Sequence, residues 1–389
     1  MNRAHNEAKL LFLLEMIVNF YTKQKVLKWI NMAEVVKGLL QTFINIYCDR
    51  SLHLDTPKLG GIVVKNKKVI ISLVVVAVLA VGAFMGWKMM FGVQKVAVDS
   101  SEQGQKIEQY ANPDAFITPF QLKELMDDGG DVVVLGALDP KNADAQITGS
   151  FSFWRGAYSA EEGAYPYGGM SADVAKMEAF LSSMGVTEDS IIVTYASNSH
   201  HDAARLWFQL KSLGHEDVRY LDGGLNAWAG AGYPTGGSNP TVEATNYKAP
   251  NPNTDYLATI DDVIAALDDP SVEILDTRAA DEESGEKTLD GAFGPGKIEG
   301  AVFIPWTTAV AEDTTLKTLD ELKEIYSGLE NGNVISYCQS GVRSAHSMLV
   351  LSQALGYENI KNYDGSWIEY SYEVYENGNE LARIENGTK

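Results

Sequence analysis

From Val193 the chain reads VTYASNSHHDAARLWFQLKSLGHEDVRYLDGG, and from Ile335 it reads ISYCQSGVRSAHSMLVLSQALGYENIKNYDGS. A shift of 142 lays one stretch on the other without a gap, setting Tyr195 on Tyr337, Ala203 on Ala345, Gly214 on Gly356, Glu216 on Glu358, Asp222 on Asp364 and Gly223 on Gly365. Upstream, TPFQLKELMDD from Thr118 has the pattern of TIDDVIAALDD from Thr259, and each runs into an apolar stretch, VVVLG or VEILD. A repeat of this length means one architecture used twice. The Pro- and Asn-rich stretch NPTVEATNYKAPNPNTDY between the copies has the composition of an exposed linker.

Within each copy, short β-branched runs alternate with longer helical patterns. In the second, helices are expected over Ile260–Leu267, Leu319–Tyr326 and about Arg343–Leu355. Strands are expected over Val272–Leu275, Ala301–Ile304, Val334–Tyr337 and Ile360–Tyr363. Strands alternating with helices predict an α/β fold in each half, a mainly parallel sheet flanked by helices on both faces. Ligands of such sheets sit beyond the carboxyl ends of the strands.

That rule points at Cys338, which directly follows an apolar strand and directly precedes a helix. The connection is Cys338-Gln339-Ser340-Gly341-Val342-Arg343, with Ser344 opening the helix. A tight turn here aims backbone N–H groups inward as an anion-binding nest, and the helix N-terminus adds positive potential. Gly341 tolerates whatever angles the turn needs, and the Arg343 cation lowers a nearby thiol pKa. The alternative is an inert, buried cysteine after a strand. Only Cys48 and Cys338 are present in the 389 residues, so a disulfide framework or a multi-cysteine zinc site is excluded within one chain. The shift of 142 sets Ala196 at the position of Cys338 and His201 at that of Arg343, so the first copy has no thiol. His200, His201 and Asp202 invite a metal reading, but adjacent residues rarely point at one ion. No metal and no cofactor is expected; a role for Asp202 or Ser199 in capping the following helix fits better.

The net charge of -21 is unevenly spread. Through Lys95 there are 13 basic and 5 acidic residues, leaving 18 and 47 beyond, a balance of -29 for the body. Such a body repels phosphates, so nucleic acid is excluded as a partner. Residues 69–87, VIISLVVVAVLAVGAFMGW, are 19 residues without a charge, just long enough to span a hydrocarbon core. Lys65, Lys67 and Lys68 before them favour a cytoplasmic N-terminus. The expectation is a single-pass cell-membrane protein with an extracytoplasmic body; the alternative is secretion after cleavage near Val81-Gly82-Ala83. The organisation expected is a cytoplasmic segment over 1–68, part of it readable as an upstream extension, an anchor or signal sequence over 69–90 and a linker over 91–112. A first domain then covers 113–240, a second linker 241–255 and a second domain 256–389.

YCQSGVRSAHS followed by ALGYENIKNYDGSWIEY resembles the active-site loop and C-terminal segment of the rhodanese family. With LDTR at Leu275 to Arg278 and GKIEGAVFIPW at Gly296 to Trp306, the resemblance covers about the whole second domain. Over Asp114 to Thr235 the first copy resembles the same fold. The body is thus similar to tandem thiosulfate and 3-mercaptopyruvate sulfurtransferases, whose first domain is usually inactive.

The resemblance implies a double displacement in which Cys338 takes sulfur from a small anionic donor as a persulfide and yields it to a thiol or to cyanide. It casts Arg343 as the partner of the sulfur and of the donor, the amides of Gln339, Ser340, Gly341, Val342 and Ser344 as the cradle, and Trp306 and Trp367 as shields. Arg278 and Lys297 are further donor-binding candidates. For Arg278 a structural ion pair with Asp276 is the stronger reading. Lys297 stands in the family's GHI motif, here Gly296-Lys297-Ile298, while a cation typical of thiosulfate-specific members is replaced by Glu282. Two alternatives are a non-catalytic rhodanese-like binding module at the cell surface and a Cys-dependent phosphatase. The phosphatase class needs five residues between Cys and Arg, where this chain has four.

Overall fold

The computed structural model describes residues 96–197, 200–329 and 332–387, with a short antiparallel pairing of Lys58–Leu59 and Ile62–Val63 upstream. The apolar segment 69–87, Cys48 and Ser199 lie outside the described residues. Among the described residues no helix is long and apolar enough to cross a membrane.

Why the two copies look alike in sequence is clear from their helix starts. The first half runs α1 (Glu102–Ile107), β1 (Phe116–Ile117), α2 (Pro119–Asp127), β2 (Val132–Ala137), β3 (Phe151–Phe153), α3 (Val174–Ser183), β4 (Ile191–Tyr195), α4 (His200–Ser212), β5 (Val218–Leu221) and α5 (Gly224–Gly230). The second begins with β6 (Leu257–Ala258) and α6 (Ile260–Ala266). Thr118 and Thr259 cap α2 and α6 through the same reciprocal box, with Gln121 and Asp262 returning the hydrogen bond. The second half continues with β7 (Glu273–Asp276), α7 (Ala280–Glu283), β8 (Lys297–Ile298), β9 (Val302–Phe303), α8 (Leu319–Ile325), β10 (Asn333–Tyr337), α9 (Val342–Leu349), β11 (Asn359–Tyr363), α10 (Ser366–Tyr375) and β12 (Ile384–Glu385).

Each half holds one parallel five-stranded sheet. The orders are β3-β2-β4-β5-β1 and β9-β7-β10-β11-β6, which is the same topology twice. The α/β fold expected in both halves is therefore present. The middle strands β4 and β10 are buried along almost their whole length, as a sheet covered on both faces requires. β8 and β12 form a separate antiparallel pair, reduced in the first half to the single antiparallel bridge between Ile147 and Thr235. α9 runs on as a π-turn over Val350–Ala354, so the helical stretch reaches nearly as far as the sequence suggests.

The halves share a core. Ile192, Trp207 and Phe208 of the first belong to the same buried cluster as Leu275, Met348 and Leu351 of the second. α4 packs directly on α9, so the two helices that follow the Cys338 turn and its counterpart meet at the boundary.

Candidate active site

The β10–α9 turn is held from behind by one hydroxyl. Ser366 Oγ accepts the N–H of Cys338 at 3.1 Å and that of Gly341 at 2.9 Å, and donates to the Tyr363 carbonyl at 2.7 Å. Its backbone stands at φ 50°, a left-handed conformation that costs a non-glycine residue about 1–3 kcal/mol and is typically kept at functional sites. Trp367 and Ile368 close the turn by donating to the carbonyls of Cys338 and Gln339, each at 3.0 Å. Gly341 has φ 70°, and a β-carbon there would come within 2.6 Å of the Arg205 guanidinium and the Asp364 carbonyl. No other residue fits that position.

Cys338 lies at the bottom of this turn, 1% exposed. Burial by itself pushes the thiol up. The charge of Arg343 and hydrogen bonds from Ser344 and Ser340 outweigh it, and the pKa falls below the ordinary thiol value. The N–H groups of Cys338 and Gly341 point to Ser366 instead, so the cradle is narrower than all the amides from 339 to 344. The Ser344 hydroxyl is fixed by Asn362 at 2.6 Å, and Asn362 also donates to the Gly341 carbonyl at 2.9 Å.

Arg343 is itself clamped. Glu282 takes both of its terminal nitrogens, at 2.6 and 2.8 Å. This bidentate pair aims the guanidinium and offsets its charge.

Of the other candidates, Gln339 reaches the Asp290 carbonyl at 3.4 Å, and Val342 is buried at the start of α9. Arg278 is 2% exposed and paired with Asp276 at 2.6 Å, with its guanidinium over the Trp367 ring at 4.8 Å. The structure places it behind the turn as a buried ion pair. Lys297 is paired with Glu283 at 2.8 Å and lies 3.5 Å from Glu385, away from the cradle. Trp367 is turned toward Arg278, with Nε1 donating to Gly294 at 3.0 Å, and supports the turn through its backbone. Trp306 packs between His201 and His346, with ring centroids 4.6 and 5.2 Å away. His346 on α9 is held neutral by complete burial, its pKa pushed down to about 3.

The first half contributes residues that the sequence did not announce. Arg205 on α4 crosses to the second half, pairing with Asp364 at 2.5 Å and donating to the Gly341 carbonyl at 3.2 Å. Ser171 donates its N–H and its hydroxyl to Asp364 at 2.9 and 2.8 Å. The reverse clasp exists too, for Asp222 accepts the N–H of Leu316 at 2.7 Å. Each half thus lays a loop across the aspartate of the other. Asp202, expected to cap α4, instead takes Nε of Arg155 at 2.7 Å, and His201 is held neutral, chiefly by burial, against Trp306. Among the described residues no group of three or more His, Cys, Asp or Glu is placed to hold a metal. A buried arginine on an otherwise apolar helix face, in ARLWFQL, is the signal that marks Arg205.

Fold and site define a class, an α/β protein of two like domains in which one keeps a cysteine cradle and the other has lost it. The chain belongs to the rhodanese family, because the model of the rhodanese-like domain matches residues 118–231 and again 259–373. It is 37% identical over 208 residues to a Mycobacterium bovis protein named "Putative thiosulfate sulfurtransferase 1", covering 51% of this chain and 74% of that one. It is also 34% identical over 202 residues to the sulfur carrier protein TtuD of Thermus thermophilus, covering 49% and 71%. Among solved structures it resembles YnjE, with a TM-score of 0.63 at 20% identity over 72% of this chain and 70% of that one. The anaerobic ergothioneine biosynthesis enzyme of Chlorobium limicola gives 0.62 at 20% identity, covering 72% of each. Those two likenesses speak for the fold alone.

Proposed function

We propose that the protein is a sulfurtransferase that carries a sulfane sulfur on Cys338. The observation that carries this reading is the placement of that thiol at the end of β10, in a turn pinned by Ser366 and followed by an Arg343 held by Glu282; Arg343 and the Ser344 and Ser340 donors lower the thiol pKa against burial. An ionised thiolate in an anion-stabilising turn is a nucleophile that also stabilises the product. With thiosulfate, the thiolate attacks the outer sulfur. A new S–S bond forms, the old one breaks, sulfite leaves with its electron pair, and a Cys338 persulfide anion remains. A thiol or cyanide then attacks the terminal sulfur and restores the thiolate. The names of the relatives favour thiosulfate as donor, and 3-mercaptopyruvate is the alternative. Intact mass spectrometry after treatment with each donor tests the reading. Gain of one sulfur atom, lost again on adding cyanide and absent in Cys338→Ser, is expected; an unchanged mass with both donors overturns it.

The 19 uncharged residues at 69–87 support a tether that holds this body outside the cytoplasmic membrane. N-terminal sequencing of the native membrane fraction checks this, since a start just beyond Ala83 would mean a cleaved signal instead.

A further inference from the structure

We propose that Arg155, supplied by the cysteine-less domain, is the cation that seats the anionic sulfur donor over Cys338. This rests on the sulfurtransferase reading and identifies where the donor's charge is held.

The need follows from charge. A thiolate must be approached by a dianion, and the three second-domain cations named as donor-binding candidates are already engaged. Arg343 gives both terminal nitrogens to Glu282, Arg278 is locked on Asp276, and Lys297 lies between Glu283 and Glu385. Arg155 differs. Asp202, fully buried, takes its Nε, while the arginine side chain keeps 40% of its surface open. A guanidinium anchored at Nε retains its two terminal amino groups for a bidentate oxyanion.

The fold brings this residue to the cradle. Arg155 opens the 3-10 turn after β3, as Trp306 does after β9. Strand registers make the two equivalent, since Leu135 pairs with Phe151 as Leu275 pairs with Val302. Trp306 uses that position to pack on His201, in the vacated loop of the other half. By the same symmetry Arg155 belongs over the loop of Cys338. The segment after it is tied there: Ala172 donates to the Tyr158 carbonyl, Ser171 donates to Asp364, and Gly169 lies against Ser340. Burial draws the Arg155 pKa down, but Asp202, Tyr158 and the Cys338 sulfur outweigh it, so the two charges sense each other.

In the transfer step Arg155 holds the oxyanion end of the donor, the sulfite of thiosulfate, while the outer sulfur bonds to Cys338 and the S–S bond to sulfite breaks. The test uses full-length protein as Arg155→Gln, as Arg155→Lys, and as Arg155→Gln with Asp202→Asn, which removes the unpaired buried carboxylate if the single variant does not fold. Two measurements are made: the KM for thiosulfate, and the ratio of Cys338 alkylation by iodoacetate to that by iodoacetamide. The ratio cancels the thiolate fraction and does not depend on sulfur transfer. Loss of one charge-assisted contact should raise KM and lower the ratio roughly ten- to a hundredfold, with Lys restoring most of the ratio. An unchanged ratio and KM in a folded Gln variant overturns the proposal. A wild type that takes no sulfur but shows an Arg155-dependent ratio would sink the sulfurtransferase reading and leave Arg155 as the anion contact.

Discussion

Residues 196 and 338 end equivalent strands in equivalent sheets, and the backbone around them is nearly the same. Leu225 donates to the Ala196 carbonyl at 2.9 Å as Trp367 donates to that of Cys338 at 3.0 Å. Tyr195 accepts the N–H of Ile147 at 3.0 Å as Tyr337 accepts that of Ile298 at 3.2 Å. What differs is everything that stabilises an anion. Opposite Cys338 stands Ala196, opposite Arg343 stands His201, and opposite Ser366 stands Gly224. Gly224 and Ser366 share the left-handed backbone, with φ 54° and 50°. The first half has let a glycine relax that conformation, and the second keeps a serine in it. Strain is retained where the hydroxyl is needed, which separates the demands of the fold from those of the chemistry.

The strongest way to break the comparison is to move the nucleophile. Cys338→Ser should lower sulfur transfer at least ~10³-fold with little change in thermal stability. Ala196→Cys should add a thiol that behaves as an ordinary or raised one, since it is buried and His201 and Asp202 stand where Arg343 and Ser344 serve Cys338. Rates of iodoacetamide reaction against pH distinguish them. A position-196 thiol ionising as readily as Cys338 would mean that the fold, not the cradle, activates the sulfur.

The next largest effect concerns the buried polar network that only the second half has. Asp276 and Arg278 stand where the first half has Gly136 and Leu138. Arg278→Leu leaves Asp276 charged and unpaired and should cost about 3–5 kcal/mol in urea unfolding. The KM for thiosulfate should not move. A KM that rises while stability holds would return Arg278 to the donor site.

Acid sensitivity also divides the halves. His346 on α9 corresponds to Ala204 on α4, and both are fully buried. The folded pKa of His346, about 3, lies below the unfolded value of roughly 6.5. Its neutral form is the one folding selects, so the associated stability is complete above the unfolded value and is lost as pH falls from there toward 3. Over that window the slope from this one group is at most about 1.4 kcal/mol per pH unit. His346→Leu should flatten the dependence of the urea midpoint on pH by that share, while His200, His201 and His215, all depressed chiefly by burial, and the shifted carboxylates continue to contribute. An unaltered slope would show that His346 titrates normally.

How much of this was legible in the sequence follows from how local each signal is. The repeat was readable because apolar runs and Thr caps recur at fixed offsets, and those offsets specify the same sheet. Cys338, Gly341 and Arg343 were readable because one short loop carries the motif. Arg278 and Lys297 were harder, since a cation in sequence does not reveal which carboxylate it meets. Arg205 showed in ARLWFQL as a charge on an apolar helix face, but its partner did not, nor did that of Ser171, because both meet Asp364 more than a hundred positions away; Arg155 meets Asp202, 47 positions on, and nothing local marks that pairing. Ser366 left a trace, for the repeat aligned LDGG with YDGS, and a glycine opposed by a serine at a turn is a sign that the side chain has work to do.

The smallest effect tests that serine and bears most directly on the comparison. Ser366→Gly makes the second turn resemble the first. Relief of the left-handed strain, about 1–3 kcal/mol, opposes the loss of a hydroxyl that satisfies two buried N–H groups. Equilibrium stability should therefore shift by no more than about 1 kcal/mol. The cradle should still suffer, because the turn loses the acceptor that pins the amides of Cys338 and Gly341, and the Ser340 and Ser344 donors lose their fixed aim. The Cys338 pKa should rise toward the ordinary thiol value, and kcat/KM for thiosulfate should fall by about tenfold, roughly one charge-assisted hydrogen bond's worth. A Gly variant with wild-type alkylation kinetics would mean that the strained serine is a relic of the fold, and that the two halves differ only in cysteine and arginine.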